Sequence, residues 1–340
     1  MENSELRQDL VSGDWVIIAP SRLHRLNQFL KKKVKTVIPS KKNCPFEGKK
    51  FLKRIEGRIF LSWPETGQPK ILIFPNDYPV VNHLLNHRKE KVFLKTVGPY
   101  NVIEGKGRHD LVVTKSHLKD FSDLSLEEAF QLLVAFRDRY LMLSNDKRLA
   151  YVSIFHNWGV LAGASVYHPH YQIISLPIIP PDVSHSLNGS RRYYKKHKEC
   201  VHCRIINWEK KENKRIIAEN EKAIAFAPFF SKNPFEIRVF LKKHSPYFEN
   251  SLDEELRDFA FVLRQALRRL KKRLHHPDYN FFIHTSPLKN KKSYSFYHWH
   301  LEILPKFSIQ AGFELGTGID INVIDPDFAA KILKRGYILK

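Results

Sequence analysis

Two stretches of this chain, about 130 residues apart, carry the same features in the same order. Each has an apolar run that ends in a histidine, then a serine with acidic residues behind it, a helical pattern, and two further apolar runs. A His-x-His pair precedes the last run: His168-Pro169-His170 in the first copy and His298-Trp299-His300 in the second. A repeat of this length indicates one supersecondary unit used twice, which limits the possible folds severely.

The pattern inside each copy predicts a strand, a helix and a pair of strands. Ser125 and Ser251 are predicted helix N-caps, because each is followed by acidic residues that suit a helix N-terminus and by apolar residues at helical spacing. The predicted fold class is therefore α+β, with two units that each form a mostly antiparallel sheet with flanking helices. We place the boundary in the basic, tyrosine-bearing segment 180–199, which gives units of residues 1–185 and 186–340.

The charge of the chain favours anionic ligands. Its 57 Lys and Arg against 35 Asp and Glu give a net charge of +22, a field that attracts nucleotides, sugar phosphates or nucleic acid. The basic residues cluster in short runs, which favour a solvated surface over a nucleic-acid groove. No zinc finger or RNA-recognition motif accompanies them, so nucleic acid is a disfavoured partner.

Cysteine usage and hydropathy indicate a reducing compartment. Three cysteines cannot form an even disulfide framework, and Cys200-Val201-His202-Cys203 is typical of half a metal site. The chain has no apolar run of about 18 residues and its first residues are polar, which predicts neither a membrane span nor a signal peptide. We expect a cytoplasmic protein.

The His-x-His pairs point to phosphoryl chemistry. Histidines at i and i+2 on a strand point to the same face, so one imidazole can attack a phosphorus while a metal or a hydrogen bond holds its neighbour. For a single His-x-His, two histidines on the polar side of a strand would be the commoner interpretation. The second copy and the glycine-rich segment before His168 favour chemistry here.

The segment from Asn157 to Ser165, which runs into His168-Pro169-His170-Tyr171-Gln172, resembles the galactose-1-phosphate uridylyltransferase family. This family is a duplicated branch of the histidine-triad fold, and the similarity extends from Leu10 to Glu314. The resemblance implies two tandem histidine-triad-like units. It also implies a hexose-1-phosphate nucleotidyltransferase of galactose and carbohydrate metabolism, which exchanges a nucleoside monophosphate between a nucleotide sugar and a sugar 1-phosphate through a covalent nucleotidyl-histidine. Family members carry structural zinc and form homodimers.

The resemblance also implies roles for individual residues. His170 matches the nucleophile, and Gln172 and Ser165 match groups that donate to the phosphoryl oxygens. Tyr171 replaces a small residue of the family, and strand alternation directs it to the opposite face. The residues that match substrate contacts are Arg22, Arg25, Asn76, Asp77, Asn157, Gly163 and Glu314.

Two metal sites follow from the same match. The first would use Cys44, Glu47, His117 and His168, and the second Cys200, Cys203, His244 and His298. Both are expected to hold Zn²⁺, and the second has the more usual set of tetrahedral ligands. In the first set Glu47 replaces a cysteine, so this set is either a Cys-Glu-His-His site or free of metal. The roles of His284 and His300 stay open.

The sequence leaves the reaction partly open. Neither the base nor the sugar follows from the residues, and phosphate as acceptor would make the enzyme a phosphorylase of nucleotide sugars. A dinucleoside polyphosphate phosphorylase or hydrolase is an alternative enzyme. A third alternative is a relative that has lost its catalytic site and binds nucleic acid.

Overall fold

The computed structural model describes residues 3–23, 40–63, 70–84, 94–307 and 309–335. It confirms an α+β fold that is built mainly on antiparallel strands. The strands are β1 Glu5–Gln8, β2 Trp15–Ile18, β3 Leu61–Trp63, β4 Ile71–Pro75, β5 Asn82–His83, β6 Leu94–Val97, β7 Tyr100–Ile103, β8 Lys106–Thr114, β9 Tyr151–Trp158, β10 His170–Leu176, β11 Ile216–Glu219, β12 Ala223–Phe226, β13 Ile237–Leu241, β14 Tyr279–His284, β15 His300–Pro305 and β16 Asp320–Asn322. The α-helices are α1 Gly48–Ile55, α2 Leu126–Ser144, α3 Pro181–His197, α4 Val201–Glu212, α5 Asp253–Arg273, α6 Gly312–Thr317 and α7 Pro326–Arg335.

One large sheet runs through both halves of the chain. Its strands follow the order β11-β12-β13-β15-β14-β9-β10-β8-β4-β3 and are antiparallel along this path. The order is the same from either end: β9, β10, β8 and β4 correspond to β14, β15, β13 and β12. The two copies meet where β9 pairs with β14. The sequence repeat is therefore a repeat of topology, joined edge to edge into one sheet.

The predicted boundary between the two units falls inside a helix. The segment predicted to connect them forms α3 (Pro181–His197), which spans the division between residues 185 and 186. The division into residues 1–185 and 186–340 stays a prediction.

A smaller sheet pairs β1 with β2 and then β2 with β16 in parallel, so a strand near the C-terminus lies beside one near the N-terminus.

The two long helices α2 and α5 cover one face of the large sheet. Both contribute to the main apolar core, α2 through residues such as Phe136 and α5 through residues such as Phe259. The predicted cap of α2 is confirmed: Ser125 Oγ accepts the N–H of Glu128 at 3.1 Å, and the Glu128 carboxylate accepts the N–H of Ser125 at 2.8 Å. No helix in these described ranges is long and apolar enough to cross a bilayer.

The predicted cap of α5 is one residue too early. Ser251 closes a one-turn helix, Phe248–Asn250, by donating its N–H to the carbonyl of Phe248 at 3.1 Å. Leu252 is the N-cap instead, and its N–H is accepted by the Glu255 carboxylate at 2.9 Å. The Glu255 carboxylate thus binds the backbone of the N-cap residue, and within the described part of the chain no side chain caps the first-turn N–H groups of α5.

Strand β10 separates the core from the opposite face. Tyr171 lies fully buried in the main core, with its ring centroid 5.3 Å from that of Phe136. His170 projects to the other face and contacts Phe46 at 5.5 Å between ring centroids. Phe46 belongs to a second, smaller apolar cluster on that face. The bulky Tyr171 is therefore kept away from the face that carries His170, as the alternation of the strand predicts.

Candidate active site

The His170 ring is held in one tautomer. Its Nδ1–H donates to the backbone carbonyl of His168 at 2.9 Å, and because a carbonyl can only accept, the proton must be on Nδ1. Nε2 then carries a lone pair, and within the described ranges it has no hydrogen-bond partner. Burial, which leaves the residue 6% exposed, lowers the pKa of His170 and favours the neutral ring. The residue thus presents a neutral, unpaired nitrogen.

A second buried histidine supports the strand that carries the nucleophile. His156 on β9 donates its Nδ1–H to the backbone carbonyl of His170 at 2.7 Å. Its ring packs against Tyr171 at 4.4 Å, and full burial lowers the pKa of His156 to about 3, so the ring is neutral. The sequence interpretation missed His156. A histidine in phase with the apolar residues Val152 and Ile154 of strand Tyr151–Trp158 was the available signal.

Gln172 lies on the same face as His170 and has a partner that was also missed. Its Oε1 is 2.9 Å from Nε2 of His109, a buried residue on β8. His109 alternates in phase with Leu111 and Val113 on that strand, which places it on the face of the candidate site. A polar residue at this phase could have been read from the sequence, but its partner could not.

The glycine-rich segment before His168 forms a tight loop that the second half of the chain holds in place. Asn280 on β14 donates from Nδ2 to Asn157 Oδ1 and to the Ala162 carbonyl, both at 2.8 Å. Asp278, just before β14, accepts the N–H of Leu161 at 2.7 Å. The second copy therefore fixes the loop of the first, although the sequence assigned it no such role.

Three further predicted residues lie at the ends of this loop. Gly163 closes a one-turn helix, Val160–Ala162, with φ of 83°, a left-handed conformation that favours glycine. Ser165 is exposed, and Asn157 is half-buried. Among the contacts that the structure describes, none joins Ser165 directly to His170. The exposed backbone of the loop is the kind of surface that cradles a phosphate.

The first predicted metal set comes together next to the nucleophile. His168 Nδ1 lies 3.5 Å from Cys44 Sγ, 3.4 Å from His117 Nδ1 and 3.6 Å from Glu47 Oε1. His168 Nε2–H donates to the Thr114 carbonyl at 2.7 Å, which leaves Nδ1 free to bind a cation. Glu47 Oε1 is buried without a hydrogen-bond partner and lies within reach of the same position as a fourth, oxygen donor. These residues fit a metal ion.

The residues of the second predicted set also come together. The ligand atoms of all four residues lie within 4.8 Å of one another, as do those of Cys44, His117 and His168 in the first set. Cys203 Sγ is 3.3 Å from His244 Nδ1 and 3.5 Å from His298 Nδ1. His244 Nε2–H donates to the Ser295 carbonyl at 2.8 Å, which again leaves Nδ1 for a cation. The full set is Cys200, Cys203, His244 and His298.

The residues matched to substrate contacts differ in what they are free to bind. Asp77 forms ion pairs with Arg58 at 2.7 Å and Arg54 at 3.4 Å, so its carboxylate is already engaged. Asn76 accepts the N–H of Tyr78 through Oδ1 at 3.0 Å. Glu314 accepts the N–H of Ala311 at 3.1 Å and caps α6, and no described contact links it to His170. Arg22 ends the one-turn helix Pro20–Arg22, and Arg25 lies outside the described residues.

The counterpart of the nucleophile in the second copy is surrounded differently. His300 places Nδ1 3.1 Å from the His298 carbonyl and Nε2 3.2 Å from a Glu302 carboxylate oxygen. Glu302 also pairs with the buried Arg238 at 3.1 Å, and the His284 ring stacks on His300 at 5.3 Å. Both nitrogens of His300 have oxygen partners, so neither is left unpaired as Nε2 of His170 is.

Comparison with known proteins agrees with the geometry. Residues 1–180 match the model of the galactose-1-phosphate uridyl transferase N-terminal domain, and residues 97–338 match a domain of unknown function (DUF4921). The chain is 32% identical to ADP-glucose phosphorylase of Arabidopsis thaliana, over 98% of this chain and 93% of that protein. It is 28% identical to galactose-1-phosphate uridylyltransferase of Thermotoga maritima, over 97% and 98% of the two chains.

Two solved structures are also similar to this chain over nearly their whole length. An Arabidopsis thaliana ADP-glucose phosphorylase with bound ADP-glucose matches 99% of this chain and all of its own, at a TM-score of 0.80 and 29% identity. A uridylyltransferase structure matches 97% of both chains at a TM-score of 0.72 and 30% identity.

Proposed function

The chain belongs to the galactose-1-phosphate uridylyltransferase family, and we propose that it moves a nucleoside monophosphate from a nucleotide sugar to a phosphate-bearing acceptor through a covalent bond to His170. One observation carries the proposal: the buried, neutral His170 ring has its proton fixed on Nδ1 and its Nε2 lone pair free. This is the form in which an imidazole acts as a nucleophile.

The proposed reaction has two balanced steps. In the first, Nε2 of His170 attacks the α-phosphorus, a P–N bond forms, and the P–O bond to the sugar phosphate breaks, so that sugar 1-phosphate leaves. In the second, an oxygen of the acceptor attacks the same phosphorus, the P–N bond breaks, and the ring returns to its neutral form. The Nδ1–H bond to the His168 carbonyl stabilises the charge that develops on the ring between the steps.

The acceptor separates two candidate activities. A sugar 1-phosphate acceptor gives the nucleotide exchange implied by the galactose-1-phosphate uridylyltransferase relatives. Inorganic phosphate gives a phosphorylase, which is favoured by the 32% identity to ADP-glucose phosphorylase and by the similarity to its ADP-glucose complex. The chemistry at His170 is the same in both.

We infer that both cysteine–histidine sets hold Zn²⁺, since thiolate and imidazole are its usual ligands. Zinc bound in the first set would act as a structural cross-link between the Cys44–Glu47 loop and the strand that carries the nucleophile. His168 belongs to that set, and its carbonyl fixes the tautomer of His170, so the metal residues also position the nucleophile. A homodimer and a cytoplasmic location stay predictions.

The test is a panel of nucleotide sugars with different bases and sugars, followed by the intact mass of the protein. The proposal expects a mass increase of one nucleoside monophosphate in the wild type and none in His170→Gly, whose circular dichroism spectrum stays unchanged. Adding glucose 1-phosphate, galactose 1-phosphate or inorganic phosphate to the labelled protein then identifies the acceptor that removes the label. An unlabelled wild type across the whole panel would contradict the proposal.

A further inference from the structure

The network around Gln172 contains a histidine that the proposed reaction does not yet use. His109 is 3% exposed and lies on β8, diagonally opposite Gln172 on β10. It touches three groups: the Gln172 side chain, the backbone N–H of Val80 and the side chain of Asn76. These contacts together determine where its proton lies.

The backbone of Val80 fixes the tautomer of His109. Its N–H donates to Nδ1 of the ring at 3.2 Å, and a ring nitrogen that accepts a hydrogen bond carries no proton. The proton of the neutral ring is therefore on Nε2, which lies 2.9 Å from Oε1 of Gln172 and donates to it. The direction of each bond follows from a backbone amide, which can only donate.

Asn76 adds a contact to the face of the same ring. Its Oδ1 accepts the N–H of Tyr78 at 3.0 Å, which orients the amide so that Nδ2 faces His109. Nδ2 lies 3.4 Å from Nδ1 and 3.2 Å from Nε2, and such similar distances place it against the ring rather than in line with either nitrogen. The segment from Asn76 to Val80, where the family match places nucleotide contacts, therefore holds His109 on two sides.

The bond from His109 decides which end of the Gln172 amide faces the substrate. The oxygen and nitrogen ends of a carboxamide have nearly the same shape, so hydrogen bonds alone select the orientation. With Oε1 held by His109, the Nε2 hydrogens of Gln172 are free to donate to a phosphoryl oxygen. The flipped amide would present its oxygen to the phosphoryl group, and two acceptors repel.

We propose that His109 is a positioning residue for the nucleotidyl transfer. The Val80 N–H fixes the tautomer of its ring, and the ring then orients the Gln172 amide so that its N–H groups face the phosphate. The inference rests on the proposed function of His170. It also implies that the segment from Asn76 to Val80 is coupled to the transfer site through the His109 imidazole.

The test measures the rate at which the protein becomes nucleotidylated in a single turnover, by intact mass. His109→Leu removes the donor and should slow labelling by on the order of 10- to 100-fold, while nucleotide-sugar affinity stays within about 3-fold. His109→Gln, which can place an amide N–H near the position of Nε2, should recover most of the rate. Ser175→Ala is the matched control: it removes a different, partly buried bond between β8 and β10, the 2.9 Å bond from the Arg108 N–H, and should label at the wild-type rate.

A double-mutant cycle separates positioning from general damage. Because His109 acts through Gln172, His109→Leu should have little further effect in a Gln172→Ala background. Equal losses in both backgrounds would overturn the inference, as would a wild-type labelling rate in His109→Leu.

A readout independent of activity keeps the inference distinct from the proposed function. A long-range ¹H–¹⁵N spectrum of the ¹⁵N-histidine-labelled protein, with the resonance assigned by its loss in His109→Gln, should show the Nε2–H tautomer. An Nδ1–H tautomer would overturn the inference even if His170 is labelled. An Nε2–H tautomer in a protein that is never labelled would support the geometry and refute the proposed function alone.

Discussion

Replacement of Gly159 by alanine should damage the loop before the nucleophile far more than the same change at Gly163. Gly159 has φ of 85° and ψ of 163°, a region that is essentially restricted to glycine, and a Cβ there would lie 2.1–2.5 Å from the carboxylate atoms of Asp278. Gly163 has a similar φ of 83°, but a Cβ there meets nothing within 4 Å. The two glycines thus form a matched pair, one blocked and one open.

The structure sets the size of the difference. Gly163→Ala adds only the strain of a left-handed residue, about 1–2 kcal/mol. Gly159→Ala adds backbone strain of about 1–3 kcal/mol. It also displaces the carboxylate that accepts the Leu161 N–H at 2.7 Å, a bond worth about 1.5–3 kcal/mol. We expect a total of roughly 3–6 kcal/mol for Gly159→Ala.

The assay is thermal unfolding followed by circular dichroism, for which about 1 kcal/mol lowers Tm by roughly 1–2 °C in a chain of this size. Gly159→Ala should therefore melt several degrees below Gly163→Ala. Adding Asp278→Ala to Gly159→Ala should cost less than the sum of the single changes, because the clash and the Leu161 bond disappear together. Equal losses for the two glycine variants, or strict additivity with Asp278→Ala, would show that the clash with Asp278 does not set the difference.

Three further outcomes follow from His156, Cys203 and Asp110. Burial lowers the pKa of His156 to about 3, so between roughly pH 6.5 and 3 the unfolded chain binds a proton that the folded chain does not. Tm should therefore fall as the pH drops through this window. His156→Gln should make this fall of Tm with pH less steep. Cys203→Ser should remove one equivalent of zinc in elemental analysis and lower Tm. Asp110→Ala leaves the buried Arg139 guanidinium, 2.8 Å away, without its carboxylate and should lower the free energy of unfolding in urea by about 3–5 kcal/mol. As a control, Asp253→Ala breaks the more exposed pair with Arg137 and should lower it by less than about 1 kcal/mol.

The sequence predicted the parts of the fold that depend on local pattern. The α+β class, the Ser125 cap and the strand–helix–strand–strand order of each copy follow from periodicity and from the repeat. It did not predict that the copies share one sheet, because the pairing of β9 with β14 joins strands more than 100 residues apart. It also missed that the segment around Pro181–His197 is helical, since its basic and tyrosine residues resemble a linker in composition.

The residues of the candidate site also divide into those that the sequence predicted and those that it missed. The family match supplied the residues of both predicted metal sets, and the structure brings the residues of each set together. The supporting residues were missed: His109, His156 and Asn280 act on groups that are distant in sequence, and a single polar residue in a strand does not identify its partner. Asp77 is the opposite case. The family match predicted it as a substrate contact, but in the structure its carboxylate is paired with Arg54 and Arg58.

The most direct test of the account is to locate the covalent label. Wild-type protein is incubated with the nucleotide sugar that labels it, digested at alkaline pH to preserve a P–N bond, and sequenced by mass spectrometry. The proposed mechanism predicts a nucleoside monophosphate on Nε2 of His170, in the peptide that contains His168 to Gln172, and no other modified residue. A label on His300, on a cysteine or on a lysine would contradict it.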